Sequence, residues 1–120
     1  QKLKQKSYRF LDTETDFKTI VLPENTYWGG AYAAEILTKY LNANSGIIYT
    51  GLDFQELMKE LRLLPDNKGN ITVVEKFWTE DIRTNTVNPM LVFADLTTDN
   101  DQRLLETANL IYKDYVENNL

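Results

Sequence analysis

Asn88-Pro89-Met90-Leu91-Val92-Phe93-Ala94-Asp95-Leu96, followed by Thr97-Thr98-Asp99-Asn100-Asp101-Gln102-Arg103, governs how the rest of the chain is read. An apolar run ends in a single carboxylate, and a polar turn then opens an amphipathic segment. Read as a strand, Met90 to Asp95 threads the middle of a sheet and delivers one acid to its rim. Burying Asp95 without a partner would cost several kcal/mol, roughly 2–7 even for a neutral polar group and more for a charge. A partner must pair it or water must reach it. Arg103, in the first turn of the helix that follows, is the natural counter-ion. An arginine there opposes the helix macrodipole, and a specific carboxylate gives a reason for it. Such a pair is either a structural ion pair or part of a functional site, and the residues alone leave both open.

Downstream, Thr98 with Asp101 three residues later has the capping-box pattern. Leu104, Leu105, Ala108, Ile111, Tyr112, Tyr115 and Val116 then give the last helix a buried stripe. Upstream, Ile71 to Trp78 alternates as a strand, and Glu80 to Val87 is a polar loop. Pro65-Asp66-Asn67-Lys68-Gly69-Asn70 is a turn. Asp53 caps a helix from about Phe54 to Leu63, and Gly46 to Tyr49 is a short strand. Pro23-Glu24-Asn25-Thr26 opens a helix over Tyr27 to Leu41, with Gly29-Gly30 in its first turn. Ser7 to Leu11 and Phe17 to Leu22 read as strands, paired as a hairpin across an acidic turn. The order β-β-α-β-α-β-β-α describes a single α/β (α+β) domain, a mixed sheet of about five strands packed by three helices. Residues 1–6 read as a linker stub.

Composition narrows the chemistry. Of the 120 residues 42% are hydrophobic and 26% charged, the balance of a globular chain able to bury a core. No apolar stretch approaches the ~20 residues of a membrane helix. Histidine and cysteine are both absent, which excludes disulfides, zinc sites, Cys–His nucleophiles and histidine bases. The lack of cysteine tilts the expected compartment toward a reducing cytoplasm. A carboxylate-only site for Mg²⁺ or Ca²⁺ is compatible with the composition, but no metal or cofactor is expected. Net charge is −5; Lys2, Lys4, Lys6 and Arg9 crowd the first nine residues, leaving nine basic against eighteen acidic residues beyond them. Such a body is a poor duplex-DNA binder, because phosphate neutralisation by Lys and Arg supplies most of that affinity.

Few motifs carry chemistry. Gly29-Gly30 lacks nucleotide-binding spacing, and Asp99-Asn100-Asp101 is a helix cap rather than a calcium loop. Pro65-Asp66 with Glu75-Lys76 supplies the ingredients of a metal-dependent nuclease of the PD-(D/E)XK type. Adjacent strand residues point to opposite faces, so Glu75 and Lys76 do not share one site. Tyr27, Trp28, Tyr49, Phe77 and Trp78 are either core or a stacking surface for a ligand or partner.

Four stretches together resemble a known family. They are Tyr27-Trp28-Gly29-Gly30-Ala31-Tyr32-Ala33-Ala34 with Leu37-Thr38 and Tyr40-Leu41; Ile48-Tyr49; Leu61 to Asp66 through Gly69-Asn70-Ile71 to Phe77-Trp78; and Pro89 to Leu96 through Arg103 to Ala108. Over about residues 27 to 116 the chain resembles the carboxy-terminal region of AbiEi-type antitoxins, transcriptional regulators of type IV abortive-infection toxin–antitoxin systems. It has Ala31 where the family run usually carries an acid. The resemblance implies a non-enzymatic domain that counteracts a nucleotidyltransferase-like toxin without requiring a stable complex. DNA binding in such proteins belongs to an amino-terminal winged helix-turn-helix, which the residues before Tyr27 do not accommodate. The expected functional surface is Tyr27, Trp28, Gly29, Gly30, Tyr49, Phe77, Trp78, Asp95 and Arg103. The alternatives are a degenerate nuclease using Asp66 and Glu75, and a plain scaffold.

Overall fold

The computed structural model describes residues 4–10, 17–39, 43–78, 86–97 and 102–116. Strand β1 (Gln5–Phe10) is followed by a 3-10 turn (Phe17–Thr19), β2 (Thr26–Gly29), α1 (Gly30–Thr38) and β3 (Gly46–Thr50). Then come α2 (Phe54–Leu61), β4 (Leu63–Pro65), β5 (Ile71–Glu75), α3 (Pro89–Thr97) and α4 (Gln102–Ile111), which ends in a wider π-helical turn (Tyr112–Val116). The strands form one mixed sheet in the order β2-β3-β5-β1-β4. β3 and β5 run parallel, and the other pairings are antiparallel. The α+β class and the five-stranded mixed sheet are those expected from the sequence, while two of the strands and the helix count are not.

The largest correction concerns the opening stretch. Residues 89–97 form a helix, not the central strand. Asn88 caps it: its side-chain oxygen accepts the Met90 N–H at 2.8 Å, and its carbonyl accepts the Leu91 N–H at 2.9 Å. Pro89 takes the first helical position, where its missing N–H is no loss and its fixed φ suits the helix. Val92 and Leu96, four residues apart, are buried.

Three further elements differ. Phe17 to Leu22 is no strand, because both edges of β1 are already taken by β4 and β5; Val21 is 88% exposed. A Lys18–Glu35 ion pair at 2.6 Å instead ties this segment to α1. Thr26 to Gly29 is an edge strand rather than the first turn of a helix, preceded by a turn in which Asn25 has φ 58°. Helix α2 stops at Leu61, where Arg62 turns left-handed (φ 58°), and the chain enters β4 directly. The Thr98–Asp101 box, the Arg103 side chain and most of the loop before Thr86 lie outside the described residues. Thr86 itself bridges Trp28, and the Val87 N–H donates to the Trp28 carbonyl at 2.9 Å, which protects part of the β2 edge.

Register and alternation separate the two sheet faces. Trp28, Ile48 and Val73 share one face, as do Tyr8 and Ile71 beside them. These residues are buried, and with Leu57 and Leu61 of α2 they belong to the hydrophobic core. Tyr27, Gly29, Tyr49 and Val74 lie on the other face.

Candidate functional site

Gly29 and Gly30 join β2 to α1 without a loop. Gly30 has φ +64°, a left-handed conformation that an L side chain takes at a cost of roughly 1–2 kcal/mol. A Cβ on it would also come within 2.8 Å of Ile47. At Gly29 a Cβ would sit 2.5 Å from the Tyr49 ring and 3.3 Å from Asp95 Oδ2. The glycine pair therefore exists to let β3 and α3 close in on this corner.

Into that corner α3 delivers Asp95. The Tyr49 hydroxyl donates to its carboxyl, 2.9 Å from Oδ1 and 3.1 Å from Oδ2, and the Gly30 N–H donates to Oδ2 at 3.3 Å. Burial raises the carboxyl above its ordinary value; the Tyr49 and Gly30 hydrogen bonds, which favour the anion, pull the other way without cancelling it. The Tyr49 phenol is raised strongly, first by burial and then by the neighbouring Asp95. The proton thus stays on the phenol, which acts as a fixed donor toward Asp95. The arrangement orients a carboxyl; it does not build a base–nucleophile pair.

Next to Tyr49, four rings pack as a group. Trp78 lies 5.6 Å from Tyr49 and 6.0 Å from Tyr27 between centroids, and Phe77 meets Trp78 edge-on at 5.0 Å. These spacings fall within the range of stabilising aromatic pairs. Tyr27 and Tyr49 are buried, whereas Phe77 is 55% exposed. The Lys76 ammonium stands 5.7 Å over Tyr27 and 5.9 Å over Trp78, anchored at 2.5 Å by the Asn25 side-chain oxygen. The Trp78 indole N–H is buried and has no hydrogen-bond partner among the described residues.

Of the nine residues expected to form the surface, Tyr27, Gly29, Gly30, Tyr49, Phe77, Trp78 and Asp95 come together. Trp28 does not: it faces the opposite side of the sheet, 2% exposed, edge-on to Tyr32 at 4.8 Å. The Arg103 side chain lies outside the described residues, and the donors seen on Asp95 are Tyr49 and Gly30. Lys76 and Asn25 were missed as neighbours of the aromatic group. The signal was a lysine one residue before Phe77-Trp78.

The nuclease ingredients stay apart. Asp66 pairs with Arg9 at 3.5 Å beyond β4, whereas exposed Glu75 ends β5, on the far side of β1. Two strand spacings already separate them by about 10 Å. Among the described residues no group of three or more acids is placed to hold a metal ion.

A family model described as transcriptional regulator, AbiEi antitoxin, type IV TA system, matches residues 1–117. No curated protein and no solved structure matches the chain.

Proposed function

The chain belongs to the AbiEi antitoxin family of type IV toxin–antitoxin transcriptional regulators, and from that premise we propose that it is a non-enzymatic, cytoplasmic antitoxin domain counteracting a nucleotidyltransferase-like toxin. The observation that carries this reading is the extent of the family match, which takes in β1 as well as the helices around Asp95. Direct operator binding belongs, on this reading, to a winged-helix region outside the present sequence. The preponderance of acids supports that division of labour, since it disfavours phosphate contacts. Among the described residues no helix is long and apolar enough to cross a membrane.

The surface best suited to antitoxin action is the aromatic group with its exposed Phe77. A solvent-facing ring above buried aromatics is the kind of feature that becomes an energetic hot spot when another molecule covers it. Asp95 and Tyr49 hold α3 against that corner. Co-expression with the nucleotidyltransferase-like toxin of the same operon tests the reading. The chain is expected to restore growth, and Phe77→Ala is expected to weaken the rescue while leaving the protein folded. Unrelieved toxicity with abundant folded protein would refute the proposal. Mg²⁺-dependent nucleic-acid cleavage abolished by Glu75→Ala would replace it with the nuclease reading.

A further inference from the structure

Lys76, Phe77 and Trp78 follow directly on the end of β5. β3 and β5 run parallel, and their last residues, Thr50 and Glu75, are register partners. The three side chains therefore stand outside the carboxyl ends of a parallel pair, the place where open α/β sheets take their ligands. We infer that this rim binds a mononucleotide, its base laid flat on the Phe77 ring and its phosphate met by the Lys76 ammonium.

Phe77 is 55% exposed, and its ring neighbours Tyr49 and Trp78 meet it near the perpendicular, at 77° and 90°. No ring lies parallel to it among the described residues, so the stacked position is open to a planar occupant. The two neighbours already fix its orientation, which lowers the ordering that binding demands. Every base has a face for such a contact, and base–aromatic stacking is a strong source of affinity. Lys76 supplies the charge. Its ammonium donates to the Asn25 side-chain oxygen and lies 5.7 Å and 5.9 Å from the Tyr27 and Trp78 rings, with no ion-pair partner among the described residues. A lysine in that state meets phosphate as a point charge. One ring, Trp78, links the ammonium to Phe77, a separation within reach of a base joined to its phosphate through ribose. The acids of the neighbouring cleft, Asp53 and Glu75, make no ion pair with Lys76, and Glu75 belongs to the sheet face opposite Tyr27 and Tyr49. The buried Trp78 indole N–H has no partner, so the group still has a donor to offer an acceptor on the base. A single phosphate needs one cation rather than the tract of them that a duplex requires, so the acidic body is no bar to it. The inference does not rest on the antitoxin reading: its titration contains no toxin, and its failure and a failure of growth rescue are read separately.

The test is a titration of the isotope-labelled full chain with adenosine monophosphate, followed by NMR through its two tryptophan indole N–H signals. The Trp78 signal is expected to shift saturably, while that of Trp28, on the opposite face of the sheet, stays in place. Phe77→Leu keeps an apolar side chain at this exposed position but removes the ring. It should weaken binding roughly fivefold or more, with the unmoved Trp28 signal showing that the fold is intact. Lys76→Met should lower the affinity for the monophosphate to that for adenosine, which lacks the phosphate. Ribose 5-phosphate, which lacks the base, should leave the Trp78 signal unmoved. Undiminished affinity in Phe77→Leu would overturn the site. So would adenosine binding as tightly as the monophosphate, an equal response to ribose 5-phosphate, or no saturable shift. A short peptide of aspartate and phenylalanine that binds more tightly than the nucleotide would also overturn it, making the rim a protein-docking surface instead.

Discussion

The two faces of the sheet are built on different terms. One buries Trp28, Ile48, Ile71 and Val73 almost completely, with a single buried hydroxyl pair, Thr26 and Thr50 at 2.9 Å, beside the apolar packing. The other sets a phenol, a carboxyl, two glycines and an exposed phenylalanine into one corner. A packed apolar face loses stability whenever volume is removed. A corner held by directed contacts is sensitive to single atoms, and it can lose function where stability hardly moves. The first face is almost wholly buried, whereas the second buries Tyr27, Tyr49 and Val74 but leaves Phe77 exposed beside the Tyr49 ring.

The sharpest way to break this contrast is Trp28→Ala. Removing a large buried ring is expected to destabilise the chain by about 3–5 kcal/mol in urea unfolding. A loss below about 1 kcal/mol would show that Trp28 does not anchor the core. Gly30→Ala comes next, at roughly 2 kcal/mol, from the left-handed backbone and the close Ile47 side chain together. A neutral result would mean that the strand-to-helix junction is not as tight as described. Tyr49→Phe removes a single hydroxyl and is expected to cost about 1–2 kcal/mol, because Asp95 loses a donor while remaining half-buried. Phe77→Ala should change stability least, within about 0.5 kcal/mol, yet reduce toxin rescue in cells. Equal loss of stability and rescue would make the aromatic corner a second core rather than a working surface.

These contrasts were unequally legible in the sequence. The strands at Gly46–Thr50 and Ile71–Glu75 announced themselves through β-branched residues bounded by turn formers. Met90 to Leu96 did not, because a short run of apolar residues fits a buried strand and a helix equally well. The arbiter was present in Asn88-Pro89, a helix-start pair that the apolar run overshadowed. Phe17 to Leu22 has strand propensity, but propensity yields when the sheet has no free edge to offer. The corner itself was half readable. Asp95, Tyr49 and the glycine pair were all singled out, yet the donors to the carboxyl lie 46 and 65 residues away in sequence. Local pattern pointed to Arg103, whose side chain lies outside the described residues; the Tyr49 and Gly30 donors are brought to Asp95 by the packing of α3 against the β2–α1 junction and β3, which no local pattern announces.

The central claim is that α3 carries Asp95 into a desolvated corner where the fold favours its neutral form. Because the folded pKa is raised, the folded chain holds this proton more tightly than the unfolded chain does. The stability contributed by Asp95 is therefore full below the ordinary carboxylate range and falls as pH rises from that range through the raised value. The direct measurement is a pH titration of the Asp95 side-chain carboxyl by carbon-13 NMR in the folded chain. The account predicts a midpoint above the ordinary 3.8, moving higher still in Tyr49→Phe, where the anion loses a donor. A midpoint at or below 3.8, unmoved by Tyr49→Phe, would place Asp95 in water and contradict the account.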